Sequence, residues 1–260
     1  MTRDPQIDPI GVPEHGVALP PANREPDPPA RVMSIHAHPD DQEFTVGATL
    51  AKWARAGSHI VTVCVTSGNG GSNQFTPLTM TREALSPIRE EEQRNACRVL
   101  GVAEVEFLRY DDGMLEPTVQ LRRELTRLIR KHKPDAVMCG DPTVRYYGST
   151  YLNHPDHRAA ASAALDATFP SAGTRLIFPE LLEQGLEPHE VRRIFIHGSE
   201  HPDVFVDIAE TLPVKLAALK EHHSQLGGRV DLTEMMTAWA KEQGAAHGIV
   251  AEAYKLMTLG

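Results

Sequence analysis

Two short runs in this chain carry residues able to hold and use a metal ion. The first is His38-Pro39-Asp40-Asp41. The second, more than a hundred residues later, is His154-Pro155-Asp156-His157. Together they supply three histidines and three carboxylates. A catalytic zinc takes three protein ligands of these kinds and leaves its fourth position to water. Neither run is long enough to hold a metal alone, whereas the two together have groups to spare for acid–base work. Each also has a plainer reading. Acidic residues suit the first turn of a helix, and Asn153 or Asp156 would serve as a helix cap. Against that, Asp40 and Asp41 repel each other unless a cation shares their site. His154 and His157, three apart at a helix start, can face one side. If the two runs meet in space, the chain encodes a metal-dependent hydrolase.

The elements that must bring them together are legible from apolar patterning. Strand-like runs fall at 31–36, 59–66, 104–109, 135–140 and 192–197, with 203–208 a further candidate. Helical runs fall at 42–57, 85–100, 117–132, 155–168 and 209–223. In 117–132, Val119, Leu121, Leu125, Leu128 and Ile129 form one stripe, and basic residues cover the rest. Gly57 and Gly101 stand where helices should stop. Such alternation predicts an α/β fold, a Rossmann-like three-layer sandwich around a mainly parallel sheet. Ligands of such sheets gather beyond the carboxyl ends of the strands. His38-Pro39-Asp40-Asp41, Ser67-Gly68-Asn69-Gly70-Gly71, Asp111-Asp112-Gly113 and the 140–148 loop all follow strands at that end. There is no dinucleotide fingerprint, because Asn73 stands where its last glycine belongs. The glycine run reads as a loop that permits close backbone approach.

Composition narrows the partners. The chain has 260 residues and a formal net charge of −9, which argues against a phosphate-backbone binder and so against nucleic acid. Its 3 cysteines lack metal or disulfide spacing; buried free thiols in a reducing, cytoplasmic setting are expected. No apolar run suggests membrane insertion or a signal core. Residues 1–30, with eight prolines, read as an extended arm preceding one domain over 31–260. Such an arm could pack on a neighbouring subunit, so a homo-oligomer is left open.

These pieces resemble a known family, the zinc-dependent N-deacetylases of the LmbE/PIG-L type. The resemblance rests on Ala37 through Glu43, on Thr66 through Ser72, and on Arg89 through Glu92 leading to Leu100-Gly101-Val102. It continues through Asp111-Asp112-Gly113, His154 through His157, and Lys215 to Gln225. It implies an enzyme that removes an N-acetyl group from an N-acetylglucosamine-type sugar or conjugate. It maps the ligands of one Zn²⁺ per chain, or of Fe²⁺ or another divalent ion, to His38, Asp41 and His157. Asp40 maps to the general base and His154 to the group that steadies the oxyanion, with Asp156 orienting or charge-tuning His154. Arg89 and Asp112 (with Asp111 as its neighbour alternative) map to substrate contacts. Apart from the resemblance, one tyrosine, Tyr151 or else Tyr146 or Tyr147, is a candidate to meet the substrate by holding the oxyanion or closing the site.

Three other readings stay open at the level of sequence. One is an amidase of mycothiol-conjugate type. Another is a non-haem Fe(II) oxygenase, since two histidines and a carboxylate also form its facial triad. A third is a non-catalytic sugar-binding module built around a metal, although structural zinc sites are closed and commonly use cysteine.

Overall fold

A computed structural model describes residues 25–74 and 76–259 of the chain. In chain order the elements are β1 (Arg31–His36), α1 (Asp41–Thr45), α2 (Gly47–Arg55), β2 (His59–Thr66), α3 (Arg82–Leu100), β3 (Glu104–Tyr110) and α4 (Val119–His132). Then come β4 (Ala136–Gly140), a small hairpin of β5 (Tyr146–Tyr147) and β6 (Tyr151–Leu152), and α5 (Pro155–Asp166). The last part holds α6 (Glu180–Glu183), β7 (Arg193–His197), β8 (Val204–Asp207), α7 (Leu212–Leu219), α8 (His223–Leu226), α9 (Leu232–Gly244) and β9 (Ala251–Thr258).

Seven strands form one sheet in the order β3-β2-β1-β4-β7-β9-β8. The first five in that order run parallel, and β9 lies antiparallel to both β7 and β8. This is the expected α/β architecture. Side chains alternate across β1: Val32 enters the core beneath α2 and α3, while Met33 and Ile35 enter the core beneath α4 and α5. Trp53, fully buried, meets Phe195 edge-on at 5.0 Å in the first core. The chain leaves β1 toward β2 on one side and reaches β4 on the other. The carboxyl ends of β1 and β4 therefore open the crevice where doubly wound sheets bind ligands.

Several boundaries moved from expectation. The run 42–57 is two helices, broken at Val46, whose φ of −128° is not helical. The α3 helix begins earlier than expected, at Arg82, where Thr81 accepts a cap bond from the Ala84 N–H; it stops at Gly101 in the left-handed region, φ +80°. Neither α9 nor β9 was expected. Strand β9 carries Glu252, only 1 % exposed, which breaks the apolar pattern that announces a buried strand. Its carboxylate accepts from Lys215 Nζ (2.7 Å) and from the amides of Ala48 and Thr49 at the start of α2. All three cysteines are buried and free. Of the N-terminal arm, residues 1–24 lie outside the described residues. Residues 25–30 run against the sheet layer, with Glu25 paired to Lys52 and the Pro29 carbonyl accepting from Ser58. Among the described residues no helix is long and apolar enough to cross a membrane.

Candidate metal centre and active site

The two His-Pro-Asp runs meet. The first turns directly off β1 into α1, and the second is the entry to α5, which packs beside β1 and β4. His157 Nε2 lies 3.0 Å from Asp41 Oδ1, and His38 Nδ1 lies 3.4 Å from Asp41 Oδ2. His38, His154 and His157 each offer a ring nitrogen within 4.8 Å of the other two. Ligand atoms about 2.0–2.2 Å from a tetrahedral zinc stand about 3.4 Å apart, close to the two separations at Asp41.

The charges agree. Burial would strip the proton from His38, but Asp41, Asp112 and Asp156 outweigh it and push the pKa up to about 12. Burial likewise opposes charge on Asp41, yet His157 and His38 hold its carboxyl well below the usual carboxylate range. A cluster of acids that draws protons onto buried imidazoles is one that attracts a cation. A second set, His38 with Asp112 and Asp156, also converges within 4.8 Å. Its acids are otherwise engaged. Asp156, fully buried, accepts from the Gly113 and Leu115 amides (2.6 and 3.2 Å), and Asp112 accepts from the Gly70 amide (2.9 Å). Both reach His38 Nε2, at 3.2 and 3.0 Å. This is the usual arrangement of a metal-binding imidazole, in which the other ring N–H donates to a carboxylate.

Asp40 stands beside the donor triangle with an unusual backbone, φ +93°. That region is costly for a residue with a Cβ and persists only where neighbours enforce it. Here Gln93 Oε1 accepts the Asp40 N–H at 2.9 Å. Arg89 Nη2 reaches the Pro39 carbonyl (2.5 Å) and Asp40 Oδ2 (3.1 Å), while Nη1 reaches the Gly68 carbonyl (2.8 Å). Burial raises the Asp40 pKa, with Arg89 opposing. Arg89 is 3 % exposed, so the guanidinium tied by resemblance to a sugar contact is turned inward onto the base and its loop. The glycines of the 67–71 loop make room for it: a Cβ on Gly68 would fall 2.2 Å from Arg89 Nη1.

His154 caps α5, its Nδ1 accepting from the Asp156 N–H at 3.2 Å. In the neutral ring the proton therefore sits on Nε2, leaving that nitrogen as donor. The Asp156 carboxylate does not hydrogen-bond His154. It lies 3.9 Å from His154 and is committed to His38, Gly113 and Leu115. Burial, then the neighbouring His38 and His157, lower the His154 pKa against an opposing pull from Asp156 and Asp112.

Beyond Asp41 and His157 a cleft of about 850 Å³ opens. Tyr147 and Tyr151 stand on its wall, while Tyr146 is not among its lining residues. The Tyr147 hydroxyl donates to the Gly198 carbonyl at 2.9 Å, and the hydroxyl of half-exposed Tyr151 has no hydrogen bond among the described residues. Two histidines that the sequence did not flag, His36 and His197, also line it, their rings stacked at 5.2 Å. Burial keeps both neutral, with the pKa of His36 lowered to about 4. Only the proximity of His36 to His38 at the strand end hinted at them.

The PIG-L family model, described as GlcNAc-PI de-N-acetylase, matches residues 33–168, both His-Pro-Asp runs included. The chain belongs to that family. Within it, diacetylchitobiose deacetylase of Thermococcus kodakarensis is 32 % identical over 195 residues, 75 % of this chain and 70 % of that protein. A deacetylase of 1D-myo-inositol 2-acetamido-2-deoxy-α-D-glucopyranoside from Saccharopolyspora erythraea is 27 % identical, covering 88 % of this chain and 90 % of the relative. Among solved structures, N,N'-diacetylchitobiose deacetylase from Pyrococcus horikoshii superposes with a TM-score of 0.80 at 28 % identity, over 88 % of this chain and 84 % of that one.

Proposed function

We propose that the chain is a metal-dependent hydrolase that removes the N-acyl group of an N-acetylglucosamine-type sugar or conjugate, and that residues 31–260 form its single catalytic unit. The observation that carries this is the meeting of the two runs at Asp41, which has His157 Nε2 3.0 Å from Oδ1 and His38 Nδ1 3.4 Å from Oδ2, with Asp40 next to it in the chain. The named activities of the relatives support the same chemistry. His38, Asp41 and His157 would hold the ion, zinc being the natural choice for this donor set. When bound, such an ion lowers the pKa of water to ≈ 7 and polarises a carbonyl.

The chain's own residues supply the rest. Asp40, held by the Gln93 and Arg89 bonds, takes the proton of the attacking water and returns it to the departing nitrogen. His154, protonated on Nε2 and held through Nδ1, donates to the oxygen on which charge develops. Tyr151 adds a hydroxyl from the wall of the cleft. Arg89 and Gln93 position Asp40. The sugar meets the polar rim beyond His38, where Arg82 donates to Asn69 (3.1 Å). Of the Asp111–Asp112 pair, Asp112 is engaged with His38 and the Gly70 amide. Asp111, 70 % exposed at its side chain, is the carboxylate left for hydroxyls. The oxygenase alternative loses ground, because a carboxylate base beside the ligand Asp suits water activation.

The test is a panel of N-acetyl sugars, including N-acetylglucosamine, its β-linked disaccharide and its inositol conjugate, incubated with zinc-loaded protein and assayed for free amine. Release from at least one supports the reading. No release from any, with zinc bound, rejects it.

A further inference from the structure

The cleft beyond Asp41 and His157 is far larger than an acetyl group requires. A methyl group would fill a small fraction of about 850 Å³, a volume near the top of the range for pockets that hold drug-sized ligands. Its walls are largely apolar: Phe44 from α1, Ala160 and Ala161 from α5, and Met235, Met236 and Trp239 from α9. The spacing of Leu232, Met235, Met236, Trp239 and Ala240 makes α9 amphipathic. Leu232 and Met236 anchor it in a core cluster with Leu219, while Met235 and Trp239 stay partly open. Trp239 is 38 % exposed and has Lys215 Nζ 5.7 Å from its ring centre.

The two flanks of the metal centre differ. On the far side of His38 lie Asn69, Arg82 and Asp111, a surface for hydroxyls. On the near side lies the apolar cleft. A carbonyl carbon seated at the centre carries, besides its oxygen, an acyl substituent and a nitrogen that diverge from it. The amine side of a sugar amide carries hydroxyls and suits the polar rim, which leaves the acyl side to the cleft.

We infer that the cleft receives the acyl chain, and that the preferred substrates are amino sugars acylated with a chain of medium length instead of acetyl. This rests on the N-deacylase reading above. Each methylene moved from water into such a cleft strengthens binding roughly fourfold.

The experiment compares N-acetyl-, N-butanoyl- and N-octanoylglucosamine with zinc-loaded protein, reading free amine as kcat/KM. At least a tenfold rise from acetyl to octanoyl is expected. In Met235→Lys, which places a cation on the partly open wall of the cleft, the octanoyl-to-acetyl ratio should fall several-fold. Turnover of acetyl with octanoyl equal or worse overturns the inference and leaves the deacetylase reading standing. An unchanged ratio in Met235→Lys also overturns it. A binding measurement decides the matter even if glucosamine amides are not turned over, an outcome that counts against the parent reading alone. Of the two tryptophans, Trp53 is fully buried, so Trp239 reports on the cleft. N-octanoylglucosamine should shift its emission to the blue in a saturable way that N-acetylglucosamine does not reproduce, and Trp239→Phe should abolish the signal. No shift, as when a second copy of the chain already covers the cleft, overturns the inference.

Discussion

Replacing Arg89 by methionine tests whether the base is held from behind. The guanidinium is 3 % exposed and serves two loops at once, reaching the Pro39 and Gly68 carbonyls and Asp40 Oδ2. Methionine fills much of the space but leaves two buried carbonyls without a donor and a largely buried carboxylate without its cation. Removing one partner of a buried pair costs about 3–5 kcal/mol. Arg89 Nε has no partner even now, which places the expected loss toward the lower end of that range. For a chain of this size 1 kcal/mol lowers Tm by about 2–4 °C, so a fall of about 6–16 °C is expected. Urea unfolding followed by circular dichroism supplies the free energy, and a thermal scan supplies Tm. Arg89→Lys should recover only part of the loss, because a single ammonium cannot span both loops as the planar fork does. A Met variant within about 1 kcal/mol of the parent would refute the reasoning and return Arg89 to the role of a substrate contact.

Other expectations follow from the same geometry. His154→Ala should lower kcat by roughly 10²–10³, as for loss of an oxyanion donor, with zinc content unchanged; a rise in KM alone would make it a binding residue. Burial opposes ionisation of Glu90, but Arg109, Ser67 and Arg94 outweigh it and hold its pKa below the ordinary value. Its ionised form therefore stabilises the fold above a glutamate's ordinary pKa of about 4.3, and that contribution fades as pH falls through the lower folded value. The Tm gap between parent and Glu90→Gln should accordingly be steady above about pH 5.5 and shrink toward acid; a gap that widens toward acid contradicts it. Chelation of the metal should lower both activity and Tm, since a ligand that binds only the folded state stabilises it. Zinc should restore both, and an unchanged Tm would speak against an ion held by three folded-state ligands.

The sequence was most readable where one physical rule acted alone. Strand β2 falls at 59–66 as expected, because its apolar run had no competing signal. The end of α3 at Gly101 was visible for the same reason. Reading failed where tertiary partners overrode pattern. Glu252 is buried in β9, and it is accommodated there by Lys215, itself buried, and by the Ala48 and Thr49 amides. The role of Arg89 could not be read from residue type, since a guanidinium serves equally as ligand contact or buried tie, and only its burial separates the two. Likewise Asp156 and His154 are neighbours in sequence, yet the carboxylate turns to His38 and only the backbone amide holds His154. The cleft drew on α9, whose stripe of Met235, Met236 and Trp239 looks like ordinary core until the helix is placed.

The central claim is that two distant His-Pro-Asp runs build one metal site, and zinc stoichiometry tests it most directly. Protein reconstituted with zinc, dialysed against metal-free buffer and analysed by atomic emission should hold one ion per chain in the parent and in Asp40→Asn. It should hold far less in His38→Ala, Asp41→Ala and His157→Ala, each of which removes one of the three ligands. Full zinc in His157→Ala, with loss instead in Asp112→Asn or Asp156→Asn, would contradict the account and place the ion on the other side of His38.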